Sequence, residues 1–204
     1  MTRVSKDPEV RRMEILDSAE KLFKEKGYAK TAINDIVREV QVAQGTFYYY
    51  FKSKEDIIVA VMERHLDEII KKVQEVVNNT SLNAIQKLIK AGQDEMEINR
   101  RQDELFNELH TIENAGIHQR CIVGLVQKLI PLYTNIIQQG IEEGVFNTLY
   151  PKEAAEYMLV ATRFMFDPGV FPQEESELYR RAAAAQNVCE RALGLKDGGL
   201  TVSQ

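Results

Sequence analysis

The chain has 204 residues, 44% hydrophobic and 28% charged, with a formal net charge of −5. That length permits one or two domains with a sizeable core, the composition excludes a disordered chain, and the overall acidity argues against a protein that coats nucleic acid indiscriminately. The charge is uneven, however: residues 1–55 carry 11 basic and 9 acidic side chains, and the remainder 15 and 22. A mildly basic unit ahead of an acidic body suits local contact with DNA. MTRVSKDPEVRR at the N-terminus lacks the apolar centre of a signal peptide. No apolar run reads as long enough to span a bilayer, the best, Tyr157 to Phe166, being broken by Arg163. Cys121 and Cys189 make no disulfide framework. The expectation is a cytoplasmic protein.

Residues 1–9 read as a polar, flexible arm. From Val10 to Lys26, Ile15, Leu16, Ala19, Leu22 and Phe23 form a helical apolar stripe, and Gly27 is a natural stop. Arg11 and Arg12 stand where basic charge opposes the helix dipole, so either a nearby phosphate justifies them or they are a solvated basic end. Thr31 reads as the N-cap of a short helix carrying Ile33, Ile36, Val37 and Val40 at helical spacing. Gln41-Val42-Ala43 leaves room only for a tight turn, and a second short helix follows from about Gln44 to Phe51. Two short helices so joined are a helix-turn-helix, whose second helix enters the DNA major groove.

On that second helix Phe47 and Phe51, four apart, can anchor one face in a core. Gln44, Gly45, Thr46, Tyr48, Tyr49 and Tyr50 spread over the others. Gly45 lets the backbone approach a phosphate, and the first-turn amides attract anions. Thr46 and the tyrosine hydroxyls can bond phosphate oxygens, Gln44 can pair with adenine, and Lys54 offers a charge to the backbone. The rival reading of FYYYF is a buried β-strand, since it has high strand propensity. No alternation of polar and apolar residues supports that.

Val42 to Asp56, VAQGTFYYYFKSKED, resembles the helix-turn-helix signature of TetR-type transcriptional regulators. Upstream, Ile15, Leu16, Ala19, Leu22, Phe23, Gly27 and Thr31 also fall where that family places them. The resemblance is specific over about residues 10 to 60; beyond that it rests on length and helix order. It departs mildly at Tyr50, where the family often has His, and at Ala32, where a second Thr is common. It implies an all-α chain of about nine helices: a three-helix DNA-binding domain over 1–52 and a helical ligand-binding and dimerisation domain over 53–204. The implied DNA contacts are Arg12, Thr31, Gln44, Gly45, Thr46, Tyr48, Tyr49, Tyr50 and Lys54.

Ser53 with Asp56 three residues on is a capping box. It opens a long helix to about Asn78, about 35 Å at ~1.5 Å per residue, long enough to connect the head to the body. Further helices are expected over about Leu82–Arg101, Asp103–Glu113, His118–Glu143, Pro151–Phe166 and Gln173–Leu193, with Pro131 kinking or ending the third of these and a frayed tail from Gly194.

No di-iron pattern is present, because Met62, Asn107 and Ala115 stand three residues before the histidines where Glu is required. His110, Glu113, His118 and Cys121 are too loosely spaced for a zinc site, so no metal or other cofactor is expected. There is no nucleophile elbow or phosphate-cradling loop, and Cys121 lies in an apolar run, which together exclude an enzyme from the reading. Met62, Met96, Phe106, Tyr133, Tyr157, Met158, Phe164, Met165 and Phe166 are ordinary core or, as the resemblance implies, partly the lining of an effector cavity. His110, Asn107 and Arg163 are its candidate polar groups. Adaptable Met and aromatic surfaces suit a lipophilic effector. The last two helices, about 152–166 and 173–193, carry Ala154, Ala155, Ala161, Ala182–Ala185, Leu159, Leu178, Val188, Ala192 and Leu193. The resemblance makes them the homodimer surface; high helix propensity is the rival reason for so much Ala. The function expected is a ligand-responsive regulator, most often a repressor, on a palindromic operator. The alternative is a helical interaction protein that uses DNA as a scaffold for a protein partner.

Overall fold

A computed structural model describes residues 7–100, 114–171, 174–196 and 198–200. Among these it holds eight α-helices and no strand: α1 Pro8–Lys26, α2 Ile33–Val40, α3 Gln44–Tyr50, α4 Lys54–Asn78, α5 Ala84–Arg100, α6 Ala115–Glu142, α7 Pro151–Met165 and α8 Glu175–Ala192. The all-α reading holds, and FYYYF is helix rather than strand. The helix expected over 103–113 lies outside the described residues.

Two compact units result, 7–65 with 114–121 and 66–100 with 122–200 among the described residues. The first reaches past residue 52 because Arg64 and His65 on α4 bond Asp17 and Glu20 of α1. Arg120 at the start of α6 likewise bonds Glu55 and Asp56.

In the first unit α1 begins two residues earlier than expected. The Asp7 carboxylate accepts from Glu9 N at 2.8 Å and Pro8 occupies the first turn, where its missing N–H costs nothing. Ile15, Leu16, Ala19, Leu22 and Phe23 are buried, with Ile36, Phe47, Phe51, Ile57, Ile58, Val61 and Met62. Burying a side chain such as Phe47 contributes about 2–3 kcal/mol. Thr31 is not the cap of α2. Its hydroxyl donates to Gly27 O at 2.8 Å and Leu22 O at 3.2 Å, closing the end of α1, and Ala32 takes the cap position with Asp35 reaching back to its amide at 3.0 Å. Gln41 then turns the chain at φ 57°, a left-handed conformation costing a non-glycine residue about 1 kcal/mol. Val42 N bonds Val37 O across that turn at 3.2 Å. Ser53 caps α4 as read, its Oγ accepting from Asp56 N at 3.0 Å, but the Asp56 carboxylate reaches back one residue further than a capping box requires and accepts from Lys52 N at 3.1 Å.

The second unit is built on one apolar cluster, with Ile69, Val73, Leu88, Leu125, Leu129, Ile136, Ile137, Ala155 and Leu159 at its centre. Pro131 does not end α6, which runs unbroken through it. Pro131 and Gln127 lie on the exposed side, where water can serve the carbonyl that the proline leaves without a donor. By length and composition α6 is apolar enough to cross a bilayer, which the sequence reading did not anticipate. Its apolar face, Leu125, Leu129, Leu132 and Ile136, is buried in this core instead. The tail is held further than expected: buried Glu190 accepts from Gly198 N at 2.9 Å and Leu200 N at 3.0 Å.

Candidate functional site

The first unit presents α3 as a short helix held from one side. Phe47 and Phe51 are buried with ring centroids 5.9 Å apart, which fixes the rotation of the helix about its axis. The opposite surface follows from 3.6-residue periodicity: Gln44, Gly45, Tyr48 and Tyr49 are exposed, Tyr49 at 78%, while Thr46 and Tyr50 are half-buried. Tyr49 and Tyr50 meet edge to face at 4.9 Å, so each ring restrains the other. A Cβ placed on Gly45 would meet nothing within 4 Å. Packing inside the chain therefore does not require glycine at this position.

The flanking cations are partly engaged. The Arg12 guanidinium lies 5.3 Å from the centroid of Phe51, at the end of α3. The Lys54 ammonium bonds Ala29 O at 3.1 Å and sits 4.4 Å from the Tyr28 ring centroid, steadying the α1–α2 connection. Thr31, 2% exposed with its hydroxyl turned inward, positions α2 rather than offering a surface contact, which corrects its place in the expected contact set.

In the same unit an ionic cluster ties α1 to α4. Glu20 bonds Arg64, Lys24 at 2.8 Å and His65 at 3.0 Å, and Arg64 also bonds Asp17 at 2.5 Å. Burial disfavours the Glu20 carboxylate, but hydrogen bonds from Lys24 and Arg64, with the charges of His65 and Arg64, outweigh it and bring its pKa down to about 2. Cys121 sits in apolar surroundings whose desolvation pushes its thiol up to about 11, so it stays an inert thiol at neutral pH.

The expected effector residues that are described fall in both units. Met62 is buried in the first unit. In the second, Met96 and Phe164 are exposed, at 57% and 42%, and so line no enclosed cavity here. Phe106, Asn107 and His110 lie outside the described residues. Tyr133 and Arg163 are brought together by a residue the sequence reading passed over, Glu95, whose carboxylate accepts from the Tyr133 hydroxyl and the Arg163 guanidinium. Burial, then the Glu95 charge and hydrogen bond, push the Tyr133 hydroxyl well above its ordinary range, so it remains a donor. On α7 and α8, Tyr157, Val160, Phe164, Tyr179 and Val188 are exposed, with Ala182–Ala184. Ala155, Leu159 and Leu193 instead face their own core, so they are removed from the expected dimer surface.

Two family profiles match the chain: "Bacterial regulatory proteins, tetR family" over residues 15–61, and "Tetracyclin repressor-like, C-terminal domain" over 95–188. A relative in Mycobacterium tuberculosis, the HTH-type transcriptional repressor KstR2, is 26% identical over 158 residues, covering 72% of this chain and 74% of its own. A TetR-family transcriptional regulator of Syntrophomonas wolfei, solved by crystallography, is 28% identical, with TM-score 0.65 over 93% of this chain and 98% of that one. The crystal structure of RolR in complex with the ligand resorcinol shares the fold at 19% identity, with TM-score 0.68 over 95% and 92% of the two chains.

Proposed function

The chain belongs to the TetR family of bacterial regulatory proteins and is a DNA-binding transcriptional regulator, and from that premise we propose that it is a homodimeric repressor released from a palindromic operator by a small lipophilic effector. Residues 1–52 read DNA; residues 53–204 take the effector and pair the subunits. The observation that carries this reading is the α3 surface, where buried Phe47 and Phe51 hold Gln44, Gly45, Tyr48 and Tyr49 outward. Each subunit places α3 in one major-groove half-site, the two half-sites about 34–36 Å apart or somewhat more. Gln44 and Tyr49 face bases. Thr46, Tyr48, Tyr50, Arg12 and the first-turn amides at Gly45 hold phosphates, with Lys54 at the margin.

The exposed apolar residues of α7 and α8, Tyr157, Val160, Phe164 and Val188 with the Ala182–Ala184 run, support pairing of two copies there. Effector bound in the body displaces α4 and alters the separation of the two reading heads. It does so only by binding the two spacings with different affinity. The work of such a protein lies in the cytoplasm, with the DNA.

The test is selection from a pool of random duplex DNA with the purified protein at near-physiological salt. Enrichment of one palindrome is the expected result. Salt-sensitive binding with no enriched sequence would refute the operator reading and favour a protein that uses DNA as a scaffold for a partner.

A further inference from the structure

The body holds a charged pair where stability alone does not call for one. Glu95 from α5 and Arg163 from α7 are bonded with side chains only 10% and 16% exposed, and Tyr133 from α6 donates to the same carboxylate from a buried position. Three helices thus each deliver one polar group to one point beside the apolar cluster that contains Tyr133, Met158 and Leu159. Burying two ions costs desolvation that their attraction only about repays, and apolar residues of similar volume serve a core as well or better.

The bonding is also unequal. Glu95 takes an Nη of Arg163, whereas the Nε–H of the same guanidinium is buried and has no hydrogen-bond partner among the described residues. A buried donor without an acceptor carries a desolvation cost that any acceptor oxygen reaching it would remove. The guanidinium charge, by contrast, is already matched by Glu95.

We propose that Arg163 Nε is the polar anchor of the effector site, and that it selects an uncharged lipophile carrying a carbonyl oxygen, with Glu95 rejecting the corresponding carboxylate. The inference rests on the reading that the body takes a small lipophilic effector, and it names the chemical class. A neutral carbonyl satisfies the Nε–H while its alkyl or ring portion covers apolar surface. A carboxylate at the same oxygen position places a second negative charge beside Glu95, in surroundings that screen charge poorly. Arg163 acts as recognition residue, Glu95 as charge filter, and Tyr133 keeps the Glu95 carboxylate in place by donating to it.

The probes are methyl decanoate and decanoate, alike in chain length and different in charge, titrated calorimetrically into the full chain at neutral pH. The wild type binds the ester at least tenfold more tightly than the acid. Glu95→Gln, which keeps a side chain of the same shape without the charge, reverses that order. Arg163→Lys retains the positive charge but lacks Nε; it binds the ester at least tenfold more weakly than the wild type while still disfavouring the acid. Circular dichroism of each variant identifies any that fails to fold, and the wild-type ratio stands without them. Equal binding of ester and acid, tighter binding of the acid by the wild type, or a ratio unmoved by Glu95→Gln overturns the filter yet leaves a lipophilic-effector body intact. No binding of either probe by folded, DNA-competent protein overturns both.

Discussion

Gly45→Ala separates the two reasons a glycine could stand at the start of α3. The residue is exposed, and a Cβ there meets no protein atom within 4 Å. Within the chain the substitution only removes the entropic cost of glycine in a helix, so the variant is expected to be more stable, by about 0.5–1 kcal/mol. On DNA the sign reverses. The methyl group stands between the first-turn amides and the phosphate they approach, and loss of one hydrogen bond to a charged group costs about 1.5–3 kcal/mol. At about 1.4 kcal/mol per decade, operator affinity falls roughly tenfold to a hundredfold. Thermal unfolding followed by circular dichroism reads the first quantity, and fluorescence anisotropy on a labelled operator duplex reads the second. A variant that unfolds at the same or higher temperature yet binds the operator as tightly as wild type would refute the placement of a phosphate at Gly45. One that is destabilised would refute the claim that the chain itself makes no use of the glycine.

Glu20→Gln removes the carboxylate shared by Arg64, Lys24 and His65. The Glu20 pKa falls from 4.5 to about 2 on folding, so its ionised form stabilises the fold above pH 4.5, by about 1–2 kcal/mol once solvent screening of this partly exposed cluster is allowed for. The wild-type advantage over the variant in urea midpoint is therefore full at pH 7 and shrinks as pH falls from 4.5 toward 2; an advantage independent of pH in that window would contradict the assignment. Gly140→Ala sets a Cβ 2.0 Å from the Phe146 ring in the core of the second unit. It is expected to lower stability by about 1–3 kcal/mol, and an unchanged melting temperature would show that Phe146 moves aside freely. Thr31→Val keeps the shape but loses the hydroxyl given to Gly27 O and Leu22 O. A loss of about 1 kcal/mol is expected, with any fall in DNA affinity recovered by cooling if Thr31 only positions α2.

What was legible in the sequence was what local periodicity determines. Phe47 and Phe51, four residues apart, announced both the buried face of α3 and, by subtraction, the exposed one. The helix indicated by Ile33, Ile36, Val37 and Val40 formed and ended at Val40, with Ala32 rather than Thr31 as its cap. The Asp7-Pro8-Glu9 start of α1 carried a readable signal, a capping carboxylate before a first-turn proline, that the polarity of the segment obscured. Thr31 misled because a hydroxyl before a helix is equally placed to cap it or to close the helix behind it, and only the return of Leu22 O and Gly27 O in space decides. Pro131 was read by a local rule, while the outcome depended on which side of α6 faced water. Glu95 was missed for the deepest reason: its pairing with Arg163 spans 68 positions, and no helical period reaches that far. Leu159 and Leu193 were apolar in the expected helices, but periodicity does not say which apolar face a chain keeps for itself.

The most direct test of sequence reading by α3 compares wild type and Tyr49→Ala on an enriched operator and on a scrambled duplex, at one fixed salt concentration. Tyr49 is 78% exposed, so its truncation leaves the fold alone. The operator-to-scrambled affinity ratio is expected to collapse, with binding to the scrambled duplex nearly unchanged. Equal losses on both duplexes, or no loss on either, would contradict the reading of bases by this helix.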